Sequence, residues 1–262
     1  MIKYYVFDPA GNVTILVDTA VPAGERLSLA RALMEENPQA EQAGFARVCG
    51  RNGKPEGKLT MAGGEFCGNG AMCTAVLKCL KEELNHKTDI YPREISVKVA
   101  GTPGSVQVRV TKRSEGEWLA GAGMMWPRGF GSVKIGEKEC PLVDEGGIFH
   151  AIINGSWEKE KAEKLIREVC REKGFKALGF MFLDGKKLTP LVYVQEADTL
   201  FWEKSCASGA CAAGAWLALT AGTGVSDTVF EEPGGSVGVR ADSREKSIVI
   251  RTGIRLIKAG TV

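Results

Sequence analysis

Hydrophobic and polar positions alternate from the start of the chain. Lys3 to Phe7 and Val13 to Val17 predict two short strands, and Asp8-Pro9-Ala10-Gly11-Asn12 between them is a turn signal. Apolar positions then recur at helical spacing from about Gly24 to Glu36, with Leu27, Ala30, Leu33 and Met34 on one stripe. A glycine-rich turn, Gly63 to Gly70, feeds a helix that runs to about Leu84, and strand-like pieces span Glu94 to Leu119. After a Gly/Pro-bearing stretch from Gly121 to Gly131 the order of elements recurs. An amphipathic helix is predicted from Ser156, a good N-cap, to Gly174, a good C-cap. Strand-like pieces follow around Phe180 to Leu183 and Leu191 to Gln195. A small-residue turn then feeds an apolar helix from Ser208 to about Ala221, and short strands, including Ser247 to Arg251, close the chain.

The two turn-to-helix segments share one pattern. Cys67-Gly68-Asn69-Gly70-Ala71 and Cys206-Ala207-Ser208-Gly209-Ala210 both read Cys-x-x-Gly-Ala, 139 positions apart, close to half of the chain. This repetition predicts a tandem duplication of one α/β unit, although residue identity between the halves is low. The second of the two helices has no charged face, and a helix that is apolar all round has to be surrounded by protein. The expected architecture is therefore α/β (α+β): two pseudo-symmetric halves, each a curved mixed sheet wrapped around a central helix. The halves are placed at 1–120, with the tail 252–262 free to pack back on it, and at 121–251, with the active site in the cleft between them.

Charge and composition narrow the partners. Lys plus Arg number 34 against 32 Asp plus Glu, a formal charge of +2, which gives no electrostatic reason to expect nucleic acid or a membrane surface. With 44% hydrophobic and 25% charged residues the chain is an ordinary globular sequence, and no apolar run reaches the eighteen or so residues of a membrane span. Met1-Ile2-Lys3-Tyr4-Tyr5 shows no signal-peptide pattern, so a cytoplasmic protein with reduced thiols is expected. Whether it forms a homodimer is left open.

The candidate chemistry lies in two of the eight cysteines. A cysteine in an apolar stretch is ordinarily a small buried hydrophobe, which is the expectation for Cys73, Cys79 and Cys211 inside the helices. Cys49, Cys140 and Cys170 carry no motif. Cys67 and Cys206 differ: each sits at a helix N-terminus, where free N–H groups and the dipole stabilise a thiolate, and each is flanked by glycines that admit a ligand close to the backbone. A metal site is weakly supported, since there is no Cys-x-x-Cys and the only histidines are His86 and His150. No P-loop or dinucleotide fingerprint is present.

Two equivalent thiols in duplicated halves suit the inversion of a carbon centre. One group removes a proton from one face and the other delivers a proton to the opposite face, while two inward-pointing helix N-termini offer N–H donors to a carboxylate. A carboxylate beside the inverted carbon describes an amino acid.

Glu65-Phe66-Cys67-Gly68-Asn69-Gly70 and Ser205-Cys206-Ala207-Ser208-Gly209-Ala210-Cys211-Ala212 resemble the two cysteine signatures of the diaminopimelate epimerase superfamily, and Gly11-Asn12 resembles its N-terminal Gly-Asn motif. The resemblance extends over essentially the whole chain. It implies a diaminopimelate epimerase-like fold and an isomerase that uses neither pyridoxal phosphate nor a metal. It also implies Cys67 and Cys206 as the acid/base pair, with Asn12 and the backbone around Gly68, Asn69, Ala207, Ser208 and Gly209 holding the substrate.

Departures from that family bear on the substrate. Its Glu-Arg pair upstream of the second cysteine is matched to Glu196-Ala197, so the receiver of a second carboxylate is missing, while Glu196, with Asp198 nearby, remains to accept a basic side chain. A basic amino acid such as histidine, ornithine, lysine or arginine is therefore expected. The stretches Asp8 through Val17 and Gly63 through Asn69 look more like histidine racemases of opine-metallophore pathways. The alternatives are a diaminopimelate epimerase (LL to meso) and, from another class, a non-catalytic ligand-binding or thiol-regulated protein of the same fold.

Overall fold

The computed structural model describes residues 1–48, 56–64, 66–85, 90–102, 104–196 and 198–262. In chain order these residues form β1 (Lys3–Pro9), β2 (Thr14–Val17), α1 (Arg26–Glu36), β3 (Gln42–Val48), β4 (Gly57–Met61), α2 (Gly68–Leu84), β5 (Arg93–Val99), β6 (Ser105–Ser114) and β7 (Glu117–Met124). There follow β8 (Gly129–Ile135), β9 (Lys138–Asp144), β10 (Phe149–Asn154), α3 (Lys159–Lys173), β11 (Ala177–Asp184), β12 (Lys187–Val194) and β13 (Thr199–Trp202). The chain ends with α4 (Ala207–Thr220), β14 (Val225–Glu232), β15 (Gly235–Asp242) and β16 (Ser247–Thr261). Two compact units result: Met1–Gly123 with Arg251–Val262, and Met124–Ile250.

In the first unit the strands run in the order β1-β2-β3-β4-β5-β6-β7-β16, and β16 pairs back onto β1, so eight strands close into a barrel. Pairing is mixed: β2–β3 and β4–β5 are parallel, the neighbouring pairs antiparallel. The barrel is filled by α2, which packs against β1 through β6 and is buried at every position from Gly68 to Leu80. Small residues early in the helix, Gly68, Gly70, Ala71 and Ala75, let the strands approach it. The barrel thereby sets the first turn of α2 beside the turn that follows β1.

In the second unit the order β8-β9-β10-β11-β12-β14-β15 is flanked by β13 on β12. The succession of pair types matches the first unit: β9–β10 antiparallel, β10–β11 parallel, β11–β12 antiparallel, β12–β14 parallel, β14–β15 antiparallel. The apolar helix α4 packs against β9, β10, β11, β14 and β15, while amphipathic α3 lies on β11 and β12. Its buried face is Ala162, Ile166, Val169 and Cys170.

Several elements differ from their sequence patterns. The helix expected from Gly24 opens as a 3₁₀ turn, Ala23–Glu25, and Leu27, counted on its buried stripe, is 50% exposed. Ser156 does not cap α3: the helix starts at Lys159 behind Glu158, without a side-chain cap, whereas Gly174 ends it in the left-handed conformation at φ 67°. Strands β8, β9 and β10 were not foreseen. The first two alternate so sparsely that only Val133, Ile135, Cys140 and Val143 are buried, and β10 is a short apolar run without strand periodicity. Among the described residues, no helix is long and apolar enough to cross a membrane.

Candidate active site

Cys67 is the N-cap residue of α2. Its backbone is extended (φ −137°, ψ 112°) and its sulfur accepts the Gly70 N–H at 3.1 Å. The glycine is needed at this spacing, because a Cβ there would stand 2.9 Å from Leu59 Cδ2, 3.0 Å from Met61 Sδ and 3.4 Å from the thiol itself. Gly68 and Asn69 occupy the first turn, where N–H groups have no carbonyl one turn back. Asn69 is buried, and its Nδ2 donates to Asn12 Oδ1 at 3.0 Å. Asn12 follows a tight turn in which Ala10 and Gly11 both have positive φ and Gly11 N–H bonds Asp8 Oδ1. Gln42, at the start of β3, completes the group: its Nε2 donates to Asn12 Oδ1 at 2.5 Å and Thr14 Oγ1 at 2.8 Å, and its Oε1 accepts from the Cys67 thiol at 3.3 Å.

Cys206 occupies the corresponding position in the second unit, as the N-cap residue of α4 (φ −128°, ψ 98°). It is 7% exposed, and its own N–H donates to Glu232 Oε2, from the end of β14, at 3.1 Å. Its sulfur lies 3.6 Å from Ser208 Oγ, which in turn lies 3.1 Å from His150 Nε2 on β10. Asn69 and Ser208, each two residues past its cysteine, therefore both tie the helix start to a side chain from the β1–β2 or β9–β10 region. Burial, then the charge and hydrogen bond of Glu203 and the charge of Glu232, push the Cys206 thiol well above its ordinary range. Burial also lifts Glu232 to about 8, against the bonds it receives, and lowers fully buried His150 to about 3. Around neutral pH this site holds a neutral imidazole and a largely protonated carboxyl.

Glu232 makes the stability of the protein pH-dependent. Its folded value lies above that of an exposed glutamate, so the folded protein holds a proton that the unfolded chain releases. Its contribution is complete below about pH 4.5 and is lost as pH rises toward 8, at no more than about 1.4 kcal/mol per pH unit. Urea midpoints should therefore fall from pH 5 to pH 8, and Glu232→Gln, which keeps an acceptor for the Cys206 N–H, should flatten that fall. Parallel descent of both proteins would remove Glu232 as the cause.

Asn12, Asn69 and Gly68 thus gather around Cys67, and Ala207, Ser208 and Gly209 around Cys206. Glu196 does not join Cys206. It is exposed in the turn between β12 and β13, and β13 runs back along the hairpin before the chain reaches Glu203 and Cys206. Its neighbour Asp198 is engaged by Tyr193 Oη at 3.0 Å and Arg167 at 3.4 Å. Ala197, Glu65, Cys49 and His86 lie outside the described residues. The carboxylates that do reach Cys206 are Glu203 and Glu232, which sequence reasoning missed, as it missed Gln42. Glu203 offers one usable signal, its place three residues before the cysteine. Cys73, Cys79, Cys140, Cys170 and Cys211 are buried free thiols, and among the described residues no cluster suited to a metal is found.

A family model described as the histidine racemase CntK N-terminal domain matches residues 1–262. A histidine racemase of Fusobacterium nucleatum is 31% identical over 226 residues, covering 83% of this chain and 81% of its own length. A histidine racemase of Staphylococcus aureus is 27% identical over 245 residues, covering 90% and 87%. Among solved structures, a Pseudomonas aeruginosa protein described as a predicted epimerase superposes with a TM-score of 0.73 at 12% identity, over all of this chain and 99% of that one. At that identity the likeness shows the fold alone.

Proposed function

The chain belongs to the family of the histidine racemase CntK N-terminal domain, and from that premise we propose that it is an amino-acid racemase that inverts the α-carbon of histidine. The observation that carries the mechanism is the repeated N-cap cysteine, each with a glycine three residues on. In the proposed reaction one sulfur, as thiolate, takes the Cα proton, and the bonding pair delocalises into the substrate carboxylate. The other sulfur, as thiol, returns a proton to the opposite face. The two sulfurs thus exchange protonation states in each turnover. First-turn N–H groups of Gly68 and Asn69, and of Ala207, Ser208 and Gly209, suit the carboxylate on which negative charge builds. Pyridoxal phosphate has no step in this scheme.

The finer fold description, a diaminopimelate epimerase-like pair of halves, is part of the same reading, as is a cytoplasmic setting in which both thiols stay reduced. Glu203 and Glu232, which bear on the Cys206 thiol, join Glu196 as candidates for meeting a cationic side chain.

The test is chiral chromatography of L- and D-histidine incubated with the purified chain without added cofactor, alongside ornithine, lysine, arginine and diaminopimelate. Both histidine enantiomers should converge on the same equimolar mixture, with diaminopimelate unchanged. Turnover of diaminopimelate with histidine untouched would overturn the substrate assignment.

A further inference from the structure

The amides around Cys67 form a chain whose orientation is imposed from outside. Glu41 Oε2 accepts from Asn12 Nδ2 at 2.9 Å. A carboxylate can only accept, so Asn12 must turn its NH₂ outward and its Oδ1 inward. That oxygen then takes hydrogens from both Asn69 Nδ2 and Gln42 Nε2. The remaining hydrogen of Gln42 goes to Thr14 Oγ1, whose own hydroxyl donates to the Asn12 carbonyl at 3.0 Å. With both amide hydrogens spent, Gln42 has only its oxygen to offer to Cys67.

An acceptor facing sulfur favours S–H over S⁻, since it bonds the neutral form and repels the charged one. Turning the Asn12, Gln42 and Asn69 carboxamides over together, with the Thr14 hydroxyl rotated to donate to Gln42, would reverse this, presenting an N–H to a thiolate. The same three side chains therefore have two self-consistent arrangements, one for each protonation state of the sulfur, and Glu41 selects between them. We propose that Glu41 is a positioning residue that, through the Asn12 and Gln42 carboxamides, turns an acceptor toward Cys67 and lowers its thiolate fraction in the free enzyme.

The inference rests on reading Cys67 as an acid/base group, but its readout does not require turnover. The Gly70 N–H also donates to this sulfur, and the Cys73 thiol lies further along α2; neither contact is altered by replacing Glu41. Glu41 is exposed, so its replacement leaves the fold intact.

Alkylation of Cys67 by iodoacetamide, followed peptide by peptide, reports its thiolate fraction. Glu41→Gln replaces an obligate acceptor by a group that can turn either way. It should raise the Cys67 alkylation rate at pH 7 by about threefold to tenfold, the range set by one hydrogen bond. In an Asn12→Ala background, where the relay is cut, the same substitution should add nothing. An unchanged rate in the single variant would overturn the proposal. An equal increase in both backgrounds would also overturn it, since that is the signature of the Glu41 charge acting directly through space. Salt gives an independent check within the single variant, because a direct field weakens as ionic strength rises and a hydrogen-bonded relay does not. A rate increase that vanishes at high salt would assign the effect to charge.

Discussion

Cys67→Ser and Cys206→Ser are each expected to lower histidine racemisation by about 10²- to 10⁴-fold, the range attributed to a positioned acid or base. Serine preserves shape and hydrogen bonding at the N-cap, so the helix start survives; indeed serine is among the best N-caps. What it removes is a group that gives up its proton far more readily than a serine hydroxyl. The two losses should differ in kind. A substrate enantiomer whose Cα proton faces the surviving cysteine can still give up that proton and take back deuterium from it without inversion. In deuterium oxide each variant should therefore exchange the Cα proton of one enantiomer only, and the two variants should show opposite preferences. NMR of the Cα proton for both enantiomers with both variants reads this directly. Wild-type-like racemisation by either variant would end the two-base scheme.

These chemical groups were legible in the sequence because an N-cap motif is local: the cysteine, its glycine three positions on and the helix that follows lie within a few residues. The repeat of that motif was legible for the same reason, and the two units share one succession of parallel and antiparallel pairs. What surrounds each sulfur was not legible. Gln42 reaches Cys67 from 25 positions away, through the parallel pairing of β2 and β3, and Glu232 reaches the Cys206 N–H across 26 positions from the end of β14. Spacing along the chain carries no information about such contacts. Glu196 illustrates the same point from the other side. It lies closer in sequence to Cys206 than Glu232 does, but the β12–β13 hairpin turns it away, and Glu203, on the returning arm, takes the place beside the thiol. No sequence pattern gives His150 a supported role. Its bond to Ser208 gives it a place, fully buried behind the first turn of α4.

Gly209→Ala should be the most damaging single-methyl addition near either thiol. By helix propensity alone alanine would be favoured over glycine inside α4 by about 1 kcal/mol. Packing opposes this, since a Cβ at 209 would fall 2.2 Å from Met181 Sδ and 3.0 Å from Met181 Cε, and 3.2 Å from Cys206 Sγ. Met181 is a flexible side chain, but it is fully buried, and its other flank is occupied: a Cβ at Gly179 would already meet Met181 Cε at 2.9 Å and His150 Nδ1 at 2.3 Å. The methionine has nowhere to retreat without pressing on His150, so the methyl should displace the first turn of α4 and the Cys206 sulfur with it. Overpacking of this kind costs about 1–3 kcal/mol, which exceeds the propensity gain and should lower Tm by a few degrees. Activity should fall further than stability, by about 10²-fold, if the sulfur moves by about 1 Å. Gly70→Ala, whose nearest would-be neighbours stand at 2.9 and 3.0 Å, should be milder on both counts. The mechanism of the damage is checked by a double-mutant cycle with Met181→Ala. That change alone opens a buried cavity, but it also makes room for the methyl at 209, so the double variant should be more stable and more active than the two single losses combined. Simple additivity would show that Met181 is not the obstacle, and a Gly209→Ala enzyme with wild-type Tm and activity would show that the close packing behind Cys206 is not needed.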